Sequence, residues 1–245
     1  MKLKSLIISI FTIFLVYNFT YSQAEGDVVI NEIGNNGTKK KLYTGGDYVE
    51  LLVVKDGGVK LAGWYLTDLS SPTGVPKARE GFIKFSDKEN SVFNKVIPKD
   101  TYILVCLGDV DENYGTAAVK EDVSLDDGNN QVVVFAYHSP DHVEALGDTV
   151  ALVLTGKDGI AIVSEWDKNK AVDVVAWGGK MSWAGAEVTE LPLEYLDNGC
   201  IAYFKPAAGD FKNNTKVESW ITTTDTKDAT PGAKNKKMEN PESEK

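Results

Sequence analysis

The chain has 245 residues and is acidic, with 36 Asp and Glu against 26 Lys and Arg and a net charge of −10 at neutral pH. A surface of that sign repels phosphate backbones and anionic lipid, and Arg79 is the only arginine, so nucleic-acid binding is excluded as a function class. The length fits one large all-β domain or two small ones.

In chain order, the first feature is a basic start, Met1-Lys2-Leu3-Lys4, followed by the apolar run Leu6–Tyr17 and the polar exit Asn18–Ala24. These are the three parts of a secretory signal. The run is too short to span a bilayer, which takes roughly 20 residues. Cleavage near Ser22–Gln23 is expected, giving a signal peptide at 1–22 and no membrane insertion afterwards. Losing Lys2 and Lys4 takes the charge of the mature chain to −12.

The rest reads as strands. Short runs rich in Val, Ile, Tyr, Phe and Thr, bounded by Gly, Asn, Asp and Pro, predict strands over Val28–Ile33, Tyr48–Val54, Leu61–Leu66, Phe82–Phe85, Thr101–Leu107 and Gln131–Tyr137. The same signal continues over Thr149–Leu154, Ile160–Val163, Val172–Trp177, Ile201–Phe204 and Ser219–Thr222. Helical periodicity is missing, and the best helical stretch, Val188–Leu196, is broken by Pro192. Lys157-Asp158-Gly159 between two apolar runs predicts a hairpin turn. Segments 67–81 and 108–130 are polar and Gly-rich, as surface excursions are. The domain is expected over 23–233, and the composition of 234–245 predicts a disordered polar tail. The fold class is therefore all-β, a sandwich with enlarged central loops.

The inventory for catalysis is thin. His138 and His142, the only histidines, share one polar segment with Asp141, and no G-x-S-x-G turn accompanies them. Hence no catalytic residues and no cofactor are assigned, and the protein is read as a non-enzyme. Asp109, Asp111 and Asn113 alternate as oxygen ligands do around calcium, a hard cation, although Tyr114 stands where an EF-hand loop needs Gly. Calcium in this acidic 108–130 insertion, serving a hydrolase or a calcium-dependent carbohydrate-binding protein, is the alternative reading. Trp166, Trp177, Trp183 and Tyr195 fall in one late region, as core packing or as a sugar-stacking surface. Cys106 and Cys200 pair in an oxidising compartment or stay as buried thiols; the sequence leaves both open.

Four patches in order resemble the lamin tail domain: Val29-Ile30-Asn31-Glu32-Ile33; Gly46-Asp47-Tyr48-Val49-Glu50-Leu51; Leu61-Ala62-Gly63-Trp64-Tyr65-Leu66-Thr67-Asp68; and, at the far end, Val172–Trp177 with Trp220 and Thr230-Pro231-Gly232-Ala233-Lys234-Asn235. The resemblance implies an immunoglobulin-like β-sandwich, with Asn31, Glu32, Glu50, Gly63, Trp64, Asp68, Asp173, Pro231 and Gly232 as structural signature. Trp64 is expected between the sheets, with Gly63 making room for it or bending the strand. Glu32 shares the parity of Val28 and Ile30, and Glu50 that of Leu52 and Val54. Carboxylates so placed are expected to bond turn amides or a partner side chain. The chain lacks the heptad rod of nuclear lamins and carries an export signal, so it resembles the stand-alone, exported bacterial members. The expected function is a binding or structural module for a protein or glycan, secreted, periplasmic or at the cell surface.

Overall fold

The computed structural model describes residues 26–35, 46–68, 81–107, 113–114, 117–118, 120–125, 128, 130–145, 152, 154–165, 170–183, 186–197, 199–205, 211, 214–225 and 230–235. Among them are the strands β1 (Val28–Asn35), β2 (Tyr48–Val53), β3 (Tyr65–Asp68), β4 (Phe82–Phe85), β5 (Tyr102–Cys106), β6 (Asn113–Tyr114) and β7 (Ala117–Ala118). The later ones are β8 (Gln131–Phe135), β9 (Val143–Ala145), β10 (Asp158–Glu165), β11 (Lys170–Trp177), β12 (Thr189–Leu191), β13 (Cys200–Phe204) and β14 (Trp220–Thr223). The expected signal peptide lies outside the described residues.

Two six-stranded sheets face each other, ordered β14-β13-β1-β2-β5-β8 and β12-β11-β10-β3-β4-β9, with β6 and β7 as a separate small pair. All pairs are antiparallel except β5–β8 and β11–β12. The protein is an all-β sandwich. One apolar cluster draws on both sheets, with Val49, Leu51, Ile103 and Phe204 from the first and Leu66, Ile83, Ile160 and Trp177 from the second. Trp64 is fully buried in it, as expected. Of the two reasons expected for Gly63, making room for the indole does not hold, and bending the chain ahead of β3 does. A Cβ at this position meets nothing within 4 Å, but its φ of +81 is left-handed, so the residue serves the turn and not the indole.

The sheets are also covered on their outer faces. Tyr48, Leu104, Cys106, Val133, Phe135, Ile201 and Tyr203 make a second buried cluster behind the first sheet. Ala161, Val163, Val174 and Trp183 belong to a third behind the second sheet. This explains why β5, β8 and β13 read YILVC, QVVVF and CIAYF without polar alternation: both faces are out of water.

Several sequence expectations shift. Val188–Leu196 contains β12, which pairs parallel to β11 before Pro192 ends it. Asp158 and Gly159 lie inside β10, opposite Trp177 and Ala176, and not in a hairpin turn. Leu152 and Leu154 are buried but outside any strand. The strand β9, beside β4, arises from the polar His142 segment, where three residues carry too little pattern to be seen.

Candidate functional site

The site begins with one extra residue. Ile30 faces Leu51 and Glu32 faces Glu50, so Asn31 is left between them as a β-bulge. Because side chains alternate along a strand, the insertion turns the rest of β1 over. Val28, Ile30 and Ile33 all enter the core between the sheets, and Glu32 leaves it. The expected parity of Glu32 with Val28 and Ile30 is thus corrected. Glu32 lies opposite Tyr203 on one side and Glu50 on the other, and Glu50 lies opposite Leu104, all on the outer face of the first sheet. Asp173 on β11 reaches across the sandwich to the bulge and accepts the Ile30 amide at 2.7 Å. It also accepts Nδ2 of Asn214 at 2.7 Å, so this carboxylate is saturated by the chain.

Glu32 and Glu50 are both fully buried on neighbouring strands. Each has its own donors. Tyr48 Oη donates to Glu32 Oε1 at 2.5 Å, and Thr230 Oγ1 lies 3.4 Å from Oε2. Asn31 Nδ2 donates to Glu50 Oε1 at 2.6 Å, and the Gly232 amide donates to Oε2. Tyr48 can lie this way because its partner across the ladder is Gly34, where a Cβ would stand 2.1 Å from the ring. Desolvation pushes the Glu32 carboxyl up to about 7, only partly offset by Tyr48 and Thr230. Glu50 is held well above the usual carboxylate range by burial and then by the charge of Glu32. Two opposed carboxyls in such a place favour keeping a proton between them.

The donors from the C-terminal side come on a single turn. Thr230-Pro231-Gly232-Ala233 closes with the Ala233 amide on the Thr230 carbonyl at 2.8 Å, and Gly232 has φ +81. Pro second and a left-handed Gly third define a type II turn. Asn235 follows, buried, with Nδ2 donating to the Phe204 carbonyl at 2.8 Å and to Asn31 Oδ1 at 3.3 Å. Thr230 Oγ1 bonds Asn235 Oδ1 at 2.9 Å and closes the ring of contacts. Lys234 and Asn235, which composition assigns to the tail, therefore belong to the described fold, and residues 236–245 lie outside the described residues. Sequence reasoning missed Asn235, Asn214 and the role of Tyr48; the only available signal was that Tyr48 and Asn235 fall inside the quoted patches.

Three of the four patches thus meet in one place: Asn31 and Glu32, Glu50, and Asp173 with Pro231-Gly232. Gly63, Trp64 and Asp68 lie elsewhere, Trp64 in the core and Asp68 at the end of β3. Of the calcium candidates, Asp109 and Asp111 lie outside the described residues, and Asn113 is in β6 opposite Ala118. Among the described residues no group of three or more metal-ligating side chains converges. His142 Nδ1 accepts the Val92 amide at 3.1 Å and so pins a loop. Trp177 and Trp183 are buried, Tyr195 packs against the core, and Trp166 lies outside the described residues, so the late aromatics form no stacking surface among those described. Cys106 and Cys200 are buried thiols on β5 and β13, with β1 and β2 between them. Three strand spacings put them about 14 Å apart, against the ~7 Å limit of a disulfide.

Beside the carboxyl pair, the first sheet opens into a cavity of about 460 Å³. Asn31 and Asn235 link it to the carboxyl pair, while Asp100, Tyr102, Phe211 and Lys234 belong to its exposed and half-buried lining. Burial, with Glu50 and Asp100 nearby, pushes the Tyr102 phenol up to about 12, so it is a donor at any physiological pH.

Fold and site together define an all-β sandwich whose C-terminal turn is clasped by a buried carboxyl pair. No protein-family model matches the chain, and no curated protein matches it. A solved structure of a DUF4876 family protein from Bacteroides thetaiotaomicron VPI-5482 is similar at 11% identity, covering 73% of this chain and 62% of that one with a TM-score of 0.41.

Proposed function

We propose that this chain is an exported, non-enzymatic module resembling the lamin tail domain, which holds a protein or a glycan at the cell surface or in the periplasm. One observation carries this reading. The Glu32–Glu50 pair, the most strongly shifted carboxyls among the described residues, has every oxygen facing a donor of the chain itself. A general acid or nucleophile must present an oxygen to substrate. Here the oxygens hold the β1 bulge and the Thr230–Asn235 turn, so the pair acts as a clasp. The neighbouring cavity is where side chains remain available to a ligand.

The test uses the chain from Gln23 onward on a glycan array and against cell-envelope fractions, each with calcium and with EDTA. Retention of a glycan or an envelope protein without turnover is the expected result. Release of reducing sugar or cleavage of the retained partner would overturn it in favour of a hydrolase. Amino-terminal sequencing of protein from its native host checks export; a mature chain beginning near Gln23 is expected, and an intact Met1 end speaks against it.

A further inference from the structure

We infer that the cavity beside the clasp is a binding site for a neutral saccharide unit. The inference rests on the binding-module reading and adds the ligand's chemical class and its place. A volume of about 460 Å³ lies within the ~300–1,000 Å³ typical of ligand sites. The lining is of two kinds. Phe211, Leu52 and Phe204 supply apolar surface, with Phe211 held against Phe204 at 5.8 Å between ring centroids. Phe211 is half-buried, so part of its ring is free to carry the C–H face of a sugar.

The second kind is polar and uncommitted. Among the described residues, the Tyr102 hydroxyl, the Asn130 amide and the Lys234 ammonium have no hydrogen-bond partner, although each residue lines the cavity. Asp100 adds an exposed carboxylate, on a backbone held at φ 65. A sugar hydroxyl both donates and accepts, so it needs donors and acceptors side by side. Tyr102, Asn130 and Lys234 donate; Asn130 and Asp100 accept. Among the described lining residues one acid and one base balance in charge, which favours a neutral ligand over a polyanion, and the acidic chain repels polyanions further.

Saturation-transfer NMR tests this with cellobiose, maltose, xylobiose and N,N′-diacetylchitobiose, and with glycylglycine as a zwitterionic probe for the Asp100 and Lys234 charges. At least one disaccharide is expected to receive saturation. Its affinity should fall about tenfold, the loss of one good hydrogen bond, in Asn130→Ala. Tyr102→Ala should weaken it more than Tyr102→Phe, which keeps the ring. Asn130 is exposed, so its variant keeps the fold even where Tyr102→Ala does not. No transfer to any disaccharide, unchanged affinity in Asn130→Ala, or transfer to glycylglycine alone overturns the inference. A glycan or envelope partner retained equally by Asn130→Ala removes this site and leaves the binding-module reading standing. A chain that retains nothing loses both.

Discussion

Raising the pH from 5 to 8 should destabilise this protein, and the reason lies in the Glu32–Glu50 pair. Burial raises the folded-state pKa of Glu32 from 4.5 to about 7. An acid shifted upward binds its proton more tightly in the fold than in the unfolded chain. Its stabilising contribution is complete below about 4.5, and it is lost as pH rises through about 7. Each pH unit in that window costs about 1.4 kcal/mol for one proton, so Glu32 alone accounts for a fall of about 3 kcal/mol. Glu50 is shifted in the same direction and deepens the fall. Urea unfolding at several pH values between 5 and 8, followed by tryptophan fluorescence, measures it directly. The Glu32→Gln, Glu50→Gln double variant is the control: its carboxamides do not titrate, so its stability should be nearly flat over the same range. It starts lower at pH 5, because an amide nitrogen now faces a backbone or side-chain donor. A wild-type stability that is flat or rises from pH 5 to 8 would refute the reasoning. So would an equal decline in the double variant.

Three further outcomes follow from the geometry. Gly232→Ala should cost about 1–2 kcal/mol, because φ +81 is strained for any side chain and the Gln131 side chain must also move; a urea midpoint equal to wild type would contradict this. Trp64→Ala, which empties a fully buried indole site between the sheets, should cost about 3–5 kcal/mol in the same assay, and a loss under 1 kcal/mol would place the indole outside the core. Alkylation in denaturant without reductant should modify both Cys106 and Cys200, seen by mass spectrometry, whereas an unmodified pair would mean a disulfide that the strand order forbids.

Much of the fold was legible because its cause is local. A run such as QVVVF can satisfy its burial only in a covered strand, and Thr230-Pro231-Gly232 can hardly do other than turn. Trp64 after a glycine announced a core indole, though the glycine's reason was backbone conformation. Legibility failed where the signal was short, as for β9, or where helical and extended readings competed, as at Val188–Leu196. It also failed at the end of the chain: Lys234 and Asn235 stand among charged and polar neighbours, and only the partners of Asn235 distinguish it from a tail.

The candidate site was legible in its parts and not in its assembly. The residue pattern shows that Glu32 and Glu50 sit in apolar strands and therefore need partners, since an unpaired buried carboxylate is too costly to keep. It could not determine who the partners are. That depended on the single extra residue at Asn31, which reverses the alternation of β1 and turns Glu32 out of the core to face Glu50. A bulge is defined by the register of one strand against another, and no pattern within one strand records it. The turn at Gly232, nearly two hundred residues along the chain, then closes over the pair. Tertiary structure alone decided that meeting, because only packing the sheets and their cover brings such distant donors to the carboxylates that require them.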